Sequence, residues 1–264
     1  MINLCLALAL AAMLSETGNL VAPEIEAASA IVIDARSGHE WFAKNALDPR
    51  PVASTQKLLT ALLVSERASE EMTIRVEAED TQVEPSILGL KTGEIYPVRN
   101  LLLAFMVKSG NDAAITLARA IGGRTSDFIQ LMNQRMSRLG GINSQFINPN
   151  GLPSDAQYST ARDMARMARV AYFRPDLREI MSTQRMIFRR GDGKEVPFVN
   201  TNRLLGKMPG VNGMKTGFTN ASGWCLISSA ALADREVICV ILGSTLSGVW
   251  EDSRRLLEWA LQQP

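Results

Sequence analysis

Histidine is almost absent from this chain: His39 is the only one in 264 residues. It follows Ser37-Gly38 in an apparent hairpin turn, where an exposed polar side chain is ordinary. A Ser-His-Asp hydrolase would have to rest on that one residue, so a hydrolase built from this sequence takes its general base from another side chain. Cysteine is scarce as well, at Cys5, Cys225 and Cys239, and no cluster of Cys, His or carboxylates has zinc-site spacing. No metal and no cofactor is expected. Cys225 and Cys239 fall on neighbouring predicted strands but out of register, and are read as buried free thiols. An excess of one charge is also lacking. The net charge is +1 and no basic run occurs, which argues against nucleic acid as a partner. With 46% hydrophobic and 21% charged residues, the composition is that of a folded globular protein. The apolar run at residues 2–14 is too short to cross a bilayer. It reads as the core of a signal peptide, followed by small-residue sites such as Val21-Ala22, although no Lys or Arg precedes it. The alternative is a buried N-terminal helix. On the first reading residues 1–22 are removed on export, Cys5 with them, and 23–264 form the mature domain.

From Ala28 the sequence predicts a strand through Asp34, a turn over Ala35-Arg-Ser-Gly38 and a second strand to Lys44. The period then changes. Leu58, Leu59, Leu62 and Leu63 have helical spacing within residues 54–68, and further helices are expected over 98–107, 112–121, 126–139 and 160–173. Thr160 with Asp163 has the form of a capping box, and Gly140-Gly141 stops the helix before it. The arginines at 162, 166 and 169 read as a solvated face. After Ile180 the chain turns extended: 185–190 and 195–200 flank Gly191-Asp-Gly193 as a hairpin, and strands are expected over 211–219, 224–230 and 237–243. A helix over about 250–262 closes the chain. The fold class is therefore α+β: an antiparallel five-stranded sheet flanked by helices (about 27–53 and 200–264) beside a mainly helical subdomain (about 54–199).

Three short patterns could carry chemistry. Ser54-Thr-Gln-Lys57 sets a hydroxyl and an amine on one face of a helix start, where the positive helix end favours a neutral lysine. A neutral lysine can accept a serine proton. Alone the pattern decides nothing, since a Ser-x-x-Lys arises about once by chance in a chain this long, and a capping serine before a surface lysine looks the same. Ser109-Gly-Asn111 lies in the break between two predicted helices and offers a second hydroxyl and an amide, or merely a capped turn. Lys215-Thr-Gly217 lies on a late strand, where a cation and a hydroxyl suit a substrate carboxylate and the glycine lets a substrate backbone approach. Lys91-Thr-Gly93 spells the same tripeptide, but in an apparent turn with no continuing strand, and is read as structural.

In this order, Ser-x-x-Lys, Ser-x-Asn and Lys-Thr-Gly resemble the motif set of penicillin-binding proteins and serine β-lactamases. The stretches Pro51-Val-Ala-Ser-Thr-Gln-Lys-Leu-Leu-Thr60, Val107-Lys-Ser-Gly-Asn-Asp-Ala113, Phe146-Ile-Asn-Pro-Asn-Gly-Leu152 and Asn212-Gly-Met-Lys-Thr-Gly-Phe-Thr219 resemble the D-alanyl-D-alanine carboxypeptidase family of low-molecular-mass penicillin-binding proteins. The resemblance runs from about Ala27 to Leu261. It implies a β-lactamase/DD-peptidase-like fold and a serine carboxypeptidase acting on peptidoglycan stem peptides. In such an enzyme Ser54 is the nucleophile, Lys57 its base and Ser109 a proton relay to the leaving D-alanine. Asn111 positions Lys57 and the substrate amide, Lys215 and Thr216 bind the terminal carboxylate, Gly217 gives the substrate room, and the backbone amides of Ser54 and Phe218 form the oxyanion hole. β-Lactams are expected as covalent inhibitors. A class A β-lactamase would carry a deacylating glutamate after the second motif, where this chain has Asn148-Pro-Asn-Gly-Leu-Pro-Ser154, and its second motif would be Ser-Asp-Asn. An inactive penicillin-binding protein is disfavoured by the intact motifs. A D,D-endopeptidase acting on cross-bridges is the nearest rival, because many carboxypeptidases of the family continue beyond the point where this chain stops. The same ending, with a cleaved leader, implies a soluble periplasmic or extracytoplasmic enzyme.

Overall fold

The computed structural model describes residues 21–69 and 71–263. Strand β1 (Ser29–Asp34) is apolar on both faces, and a strand of that kind must be covered above and below. It pairs antiparallel with β2 (Glu40–Lys44) through the turn at Gly38. Two small sheets stand apart from it: β3 (Thr73–Arg75) with β4 (Ile95–Pro97), and the hairpin of β5 (Arg185–Arg189) with β6 (Glu195–Val199). The late strands β7 (Val211–Thr219), β8 (Gly223–Leu232) and β9 (Arg235–Ser244) join the first two in an antiparallel sheet of order β2-β1-β9-β8-β7. The early and late strands thus share one sheet, as the sequence predicts, and β7 is an edge strand.

Alternation along the strands splits the core between two faces. Ile31, Ile33, Ile227, Ile238 and Val240 face the helical body, while Ala30, Val32, Leu226, Cys239 and Ile241 face the opposite side. The helical body comprises α1 (Lys57–Arg67), α2 (Val98–Lys108), α3 (Asn111–Gly122), α4 (Thr125–Arg138), α5 (Ala161–Tyr172) and α6 (Pro175–Ser182). The last helix, α7 (Gly248–Ala260), covers the other face with Val249, Leu256, Leu257 and Ala260. Helix α1 is buried on every side from Lys57 to Val64. Its leucine spacing announced an amphipathic helix, yet it is the central rod of the body, which is why a lysine in its first turn has no water around it.

The structure departs from the sequence expectation in several places. Helix α6 and the β3–β4 pair are additions to the expected elements; α6 starts with Pro175 in its first turn, a position that suits proline because no intrahelical N–H is needed there. Only half of the capping box at α5 forms. The Asp163 amide donates to Thr160 Oγ1 (3.1 Å), but the Asp163 carboxylate accepts instead from Asn143 N (2.9 Å), Ser144 Oγ (2.8 Å) and Arg166 (3.0 Å). The arginines of α5 are not a free solvated face. Arg162 pairs with Glu40 at 2.7 Å, Arg166 reaches the Gly140 carbonyl at 2.5 Å, and Arg169 donates to the Ala35 carbonyl at 2.8 Å. They fasten the helix to the β1–β2 hairpin and to the end of α4. Cys225 and Cys239 are buried free thiols, opposite Gly217 and Ser228 respectively. His39 lies in the turn with its ring edge-on to Trp41 at 4.7 Å. The expected leader falls almost wholly outside the described residues, and among these no helix is long and apolar enough to cross a membrane.

Candidate active site

Ser54 does not cap α1. It sits in a 3-10 turn (Ala53–Gln56) that leads into the helix, next to Ala53, whose φ of +47° is in the left-handed region. Such a conformation persists only where the surroundings impose it. Here residues 148–151 wrap around the turn: Gln56 donates to the Asn148 carbonyl (2.6 Å) and Thr60 to the Pro149 carbonyl (2.8 Å). Gly151, at φ +84°, lies so close that a Cβ there would come within 2.2 Å of the Ala53 carbonyl oxygen. Only glycine fits, on both counts.

One turn along, Lys57 is fully buried, and its Nζ has three oxygen neighbours: Ser54 Oγ at 2.7 Å, Asn111 Oδ1 at 2.7 Å and the Asn150 carbonyl at 2.5 Å. Burial holds its amine well below the ordinary lysine range; the charge of Lys215 adds to the effect, and the carboxylate of Asp112 opposes it. The three neighbours fit a neutral amine. When the amine is neutral, the amide oxygen and the backbone carbonyl, which can only accept, take its two N–H groups, and its lone pair is left for the Ser54 hydroxyl. An amine so arranged can take the serine proton.

Asn111 and Ser109 come from the break between α2 and α3. Ser109 ends α2 with φ +66°, which turns its hydroxyl into the cleft, and Asn111 begins α3. The Asn111 amide nitrogen donates to the Glu84 carbonyl at 2.7 Å, consistent with its oxygen facing Lys57. From the other side the edge strand β7 supplies Lys215, Thr216, Gly217 and Phe218. Lys215 is 1% exposed, donates to the Thr216 carbonyl at 3.0 Å, and is pushed by burial down to about 7. The Thr216 and Thr201 hydroxyls share a hydrogen bond of 2.6 Å. Gly217 faces the 3-10 turn: a Cβ there would meet the Ser54 and Thr55 amide nitrogens at 2.9 Å. The exposed ring of Phe218 leans on Trp224, with centroids 4.7 Å apart.

The resulting cleft has a volume of about 420 Å³. Of the eight residues singled out in the sequence, Ser54, Ser109, Asn111, Thr216, Gly217 and Phe218 line it, and Lys57 and Lys215 stand buried behind its wall. The second Lys-Thr-Gly is elsewhere: Lys91 is exposed and paired with Asp192 at 2.9 Å, and the Gly93 amide donates to the Val76 carbonyl. Sequence reasoning missed the Asn150 carbonyl, which carries no residue-type signal. It also missed Arg203 and Trp250, whose guanidinium and ring stack at 5.4 Å along the cleft. Among the described residues no group of His, Cys, Asp or Glu is arranged to hold a metal ion.

Comparison with known proteins agrees with this geometry. The family described as D-alanyl-D-alanine carboxypeptidase, peptidase S11, matches residues 16–245. The D-alanyl-D-alanine carboxypeptidase DacF of Bacillus subtilis is 33% identical over 83% of this chain, which spans 58% of that protein's length. DacB2 of Mycobacterium tuberculosis, also a D-alanyl-D-alanine carboxypeptidase, is 32% identical over 92% of this chain and 84% of its own. The crystal structure of the D-alanyl-D-alanine carboxypeptidase DacD from Francisella tularensis superposes with a TM-score of 0.86 at 30% identity, covering 92% of this chain and 72% of that one. The three motifs, their meeting in one cleft and these matches lead to one assignment: the chain belongs to the D-alanyl-D-alanine carboxypeptidase family of serine peptidases.

Proposed function

We propose that the chain is a serine D-alanyl-D-alanine carboxypeptidase, removing the terminal D-alanine of peptidoglycan stem peptides through an acyl-enzyme on Ser54. The observation that carries the reading is the contact of 2.7 Å between the Ser54 hydroxyl and the buried, partnerless-by-charge amine of Lys57. Lys57 takes the hydroxyl proton as Ser54 Oγ attacks the carbonyl carbon of the penultimate D-alanine. The oxyanion is held by the backbone amides of Ser54 and Phe218, each donor of this kind being worth about 10²–10³ in rate. Ser109 passes a proton to the leaving amine, Asn111 holds Lys57 and the substrate amide, and Lys215 with Thr216 holds the terminal carboxylate beside Gly217. Water then attacks the ester, again with Lys57 as base, and releases the shortened peptide. A β-lactam acylates the same serine. The substrate lies in the cell wall, and the apolar run at residues 2–14 supports export to the periplasm or its equivalent.

The test is the intact mass of the protein through a time course with benzylpenicillin. A lasting adduct mapped to Ser54, lost in Ser54→Ala, is the expected result. Rapid drug hydrolysis without an adduct moves the assignment to a β-lactamase, and neither outcome together with no turnover of D-alanyl-D-alanine peptides overturns it. Muropeptide digestion then compares stem pentapeptides with cross-linked dimers, and cleavage of dimers alone makes the enzyme an endopeptidase.

A further inference from the structure

Asp112 follows Asn111 in the first turn of α3 and is 2% exposed. Among the described residues it forms no ion pair, and its carboxylate is spent on backbone amides. Oδ1 accepts from Leu88 N (2.9 Å) and Ala113 N (2.9 Å), and Oδ2 from Gly89 N (2.8 Å) and Leu90 N (3.1 Å). Three of these four bonds go to one short segment. Hydrogen bonds to an ionised acceptor are the strong kind, so the segment is tied firmly to the start of α3.

The same segment reaches Asn111 a few residues earlier. The Ser86 carbonyl accepts from the Asn111 backbone amide at 2.7 Å, and the Glu84 carbonyl accepts from Asn111 Nδ2 at 2.7 Å. A carbonyl can only accept, so Glu84 dictates which end of the side-chain amide it receives. With Nδ2 held there, Oδ1 faces Lys57. Reversing the amide would set Nδ2 against the Lys57 N–H groups or over its lone pair, and Oδ1 against the Glu84 oxygen. The polarity of Asn111 therefore depends on where residues 84–90 lie. An outer clamp acts on the same residues: Arg190, beyond the end of β5, donates to the Leu88 carbonyl at 2.9 Å.

We propose that Asp112 is a positioning residue: by fastening residues 84–90 to α3 it fixes the orientation of the Asn111 amide, and through that amide the amine that faces Ser54. The inference rests on the reading of Ser54 and Lys57 as nucleophile and base. Its test is a double-mutant cycle on the rate of Ser54 acylation by benzylpenicillin, with thermal unfolding of each variant measured alongside. Asp112→Ala and Asn111→Ala are each expected to slow acylation roughly 10- to 100-fold, as a misplaced catalytic contact does. The double variant is expected to be no more than about threefold slower than Asn111→Ala alone, because Asp112 acts through Asn111. A wild-type rate in Asp112→Ala overturns the proposal, as does a double variant that loses the product of both factors, which would mean a direct effect on Lys57. If Asp112→Ala does not fold, Arg190→Met loosens the same segment from outside. It is then expected to slow acylation by about 3- to 10-fold, with no further loss in the Asn111→Ala background, and a wild-type rate overturns the proposal. A wild-type protein that never acylates at Ser54 fails at the underlying reading instead, and the two failures are told apart by that control.

Discussion

Gly217→Ala isolates the proposed oxyanion geometry from the rest of the site. Gly217 does not have a positive φ, so alanine suits its backbone, and the obstacle is space alone. The added Cβ would meet Ser54 N and Thr55 N at 2.9 Å and Ala53 Cβ at 3.0 Å. None of these is the end of a flexible side chain. Carbon contacts relax to about 3.5 Å or more, so strand and turn must part by roughly half an ångström. The turn is tied down by Gln56 and Thr60, whereas β7 is an edge strand bonded on one side only, to β8. The strand therefore yields and carries the Phe218 amide away from the Ser54 amide. A donor that starts near 2.9 Å from the oxyanion then stands at about 3.4 Å, beyond a good hydrogen bond. Losing one donor costs about 10²–10³ in rate, and the overpacking costs about 1–3 kcal/mol of stability. The assay is the acylation rate with benzylpenicillin and turnover of a D-alanyl-D-alanine peptide, beside the melting temperature. An acylation rate within about threefold of wild type would refute the geometry, because a loss of that size is too small for a missing oxyanion donor.

Lys215 makes the pH dependence testable. With its amine at about 7 rather than 10.5, kcat/KM for a peptide carboxylate falls as pH rises through about 7, since that quantity reports the free enzyme; a profile flat through that range contradicts the role. The same shift affects stability. Below about 7 both states hold the proton and the folded state carries the full penalty; between 7 and 10.5 only the unfolded state binds it, so stability rises with pH. Lys215→Met should therefore raise the melting temperature most near pH 6 and least near pH 10, and calorimetry giving the reverse order rules this out. Thr160→Ala removes the acceptor for the Asp163 amide at the start of α5, and should cost about 1 kcal/mol in urea unfolding without changing acylation.

Where periodicity was long, the sequence announced the fold. Nine- and ten-residue strands in β7, β8 and β9 and the leucines of α1 each cover enough positions for a pattern to show. The three-residue strands β3 and β4 span barely one alternation, and α6 buries only Leu177, Ile180 and Met181, so neither left a readable period. Charge periodicity misled at α5, because an arginine that ends on a backbone carbonyl of a distant hairpin has the same spacing as one that ends in water. At the site, side chains were legible and backbone was not. Ser54, Lys57, Asn111 and Lys215 announce themselves by residue type, whereas the Asn150 carbonyl could be any residue's, and its position depends on Gly151 approaching Ala53. Context separated the two Lys-Thr-Gly tripeptides: one lies on a nine-residue strand with its lysine buried, the other in a turn with its lysine in an exposed ion pair.

The near-absence of histidine and the manner in which two lysines are buried are one fact seen twice. Some buried carboxylates in this protein are paired: Asp80 meets Arg119 at 2.7 Å, and Asp163 meets Arg166 at 3.0 Å. Lys57 and Lys215 are not, since among the described residues neither forms an ion pair. A carboxylate at Lys57 would stabilise the fold and also its charged form, and an ammonium has no lone pair to offer Ser54. On the proposed mechanism, a chain without imidazole must therefore strip its lysine of water, set a second cation near it and leave it no anion in contact. The carboxylate whose charge acts on it, Asp112, is engaged by four amide hydrogens and reaches the amine only through Asn111 and the field. The cost of that arrangement falls on stability, and the surrounding structure is built to bear it. Lys57 opens a helix whose residues are buried from Lys57 to Val64, so packing on every side of that stretch keeps the amine out of water.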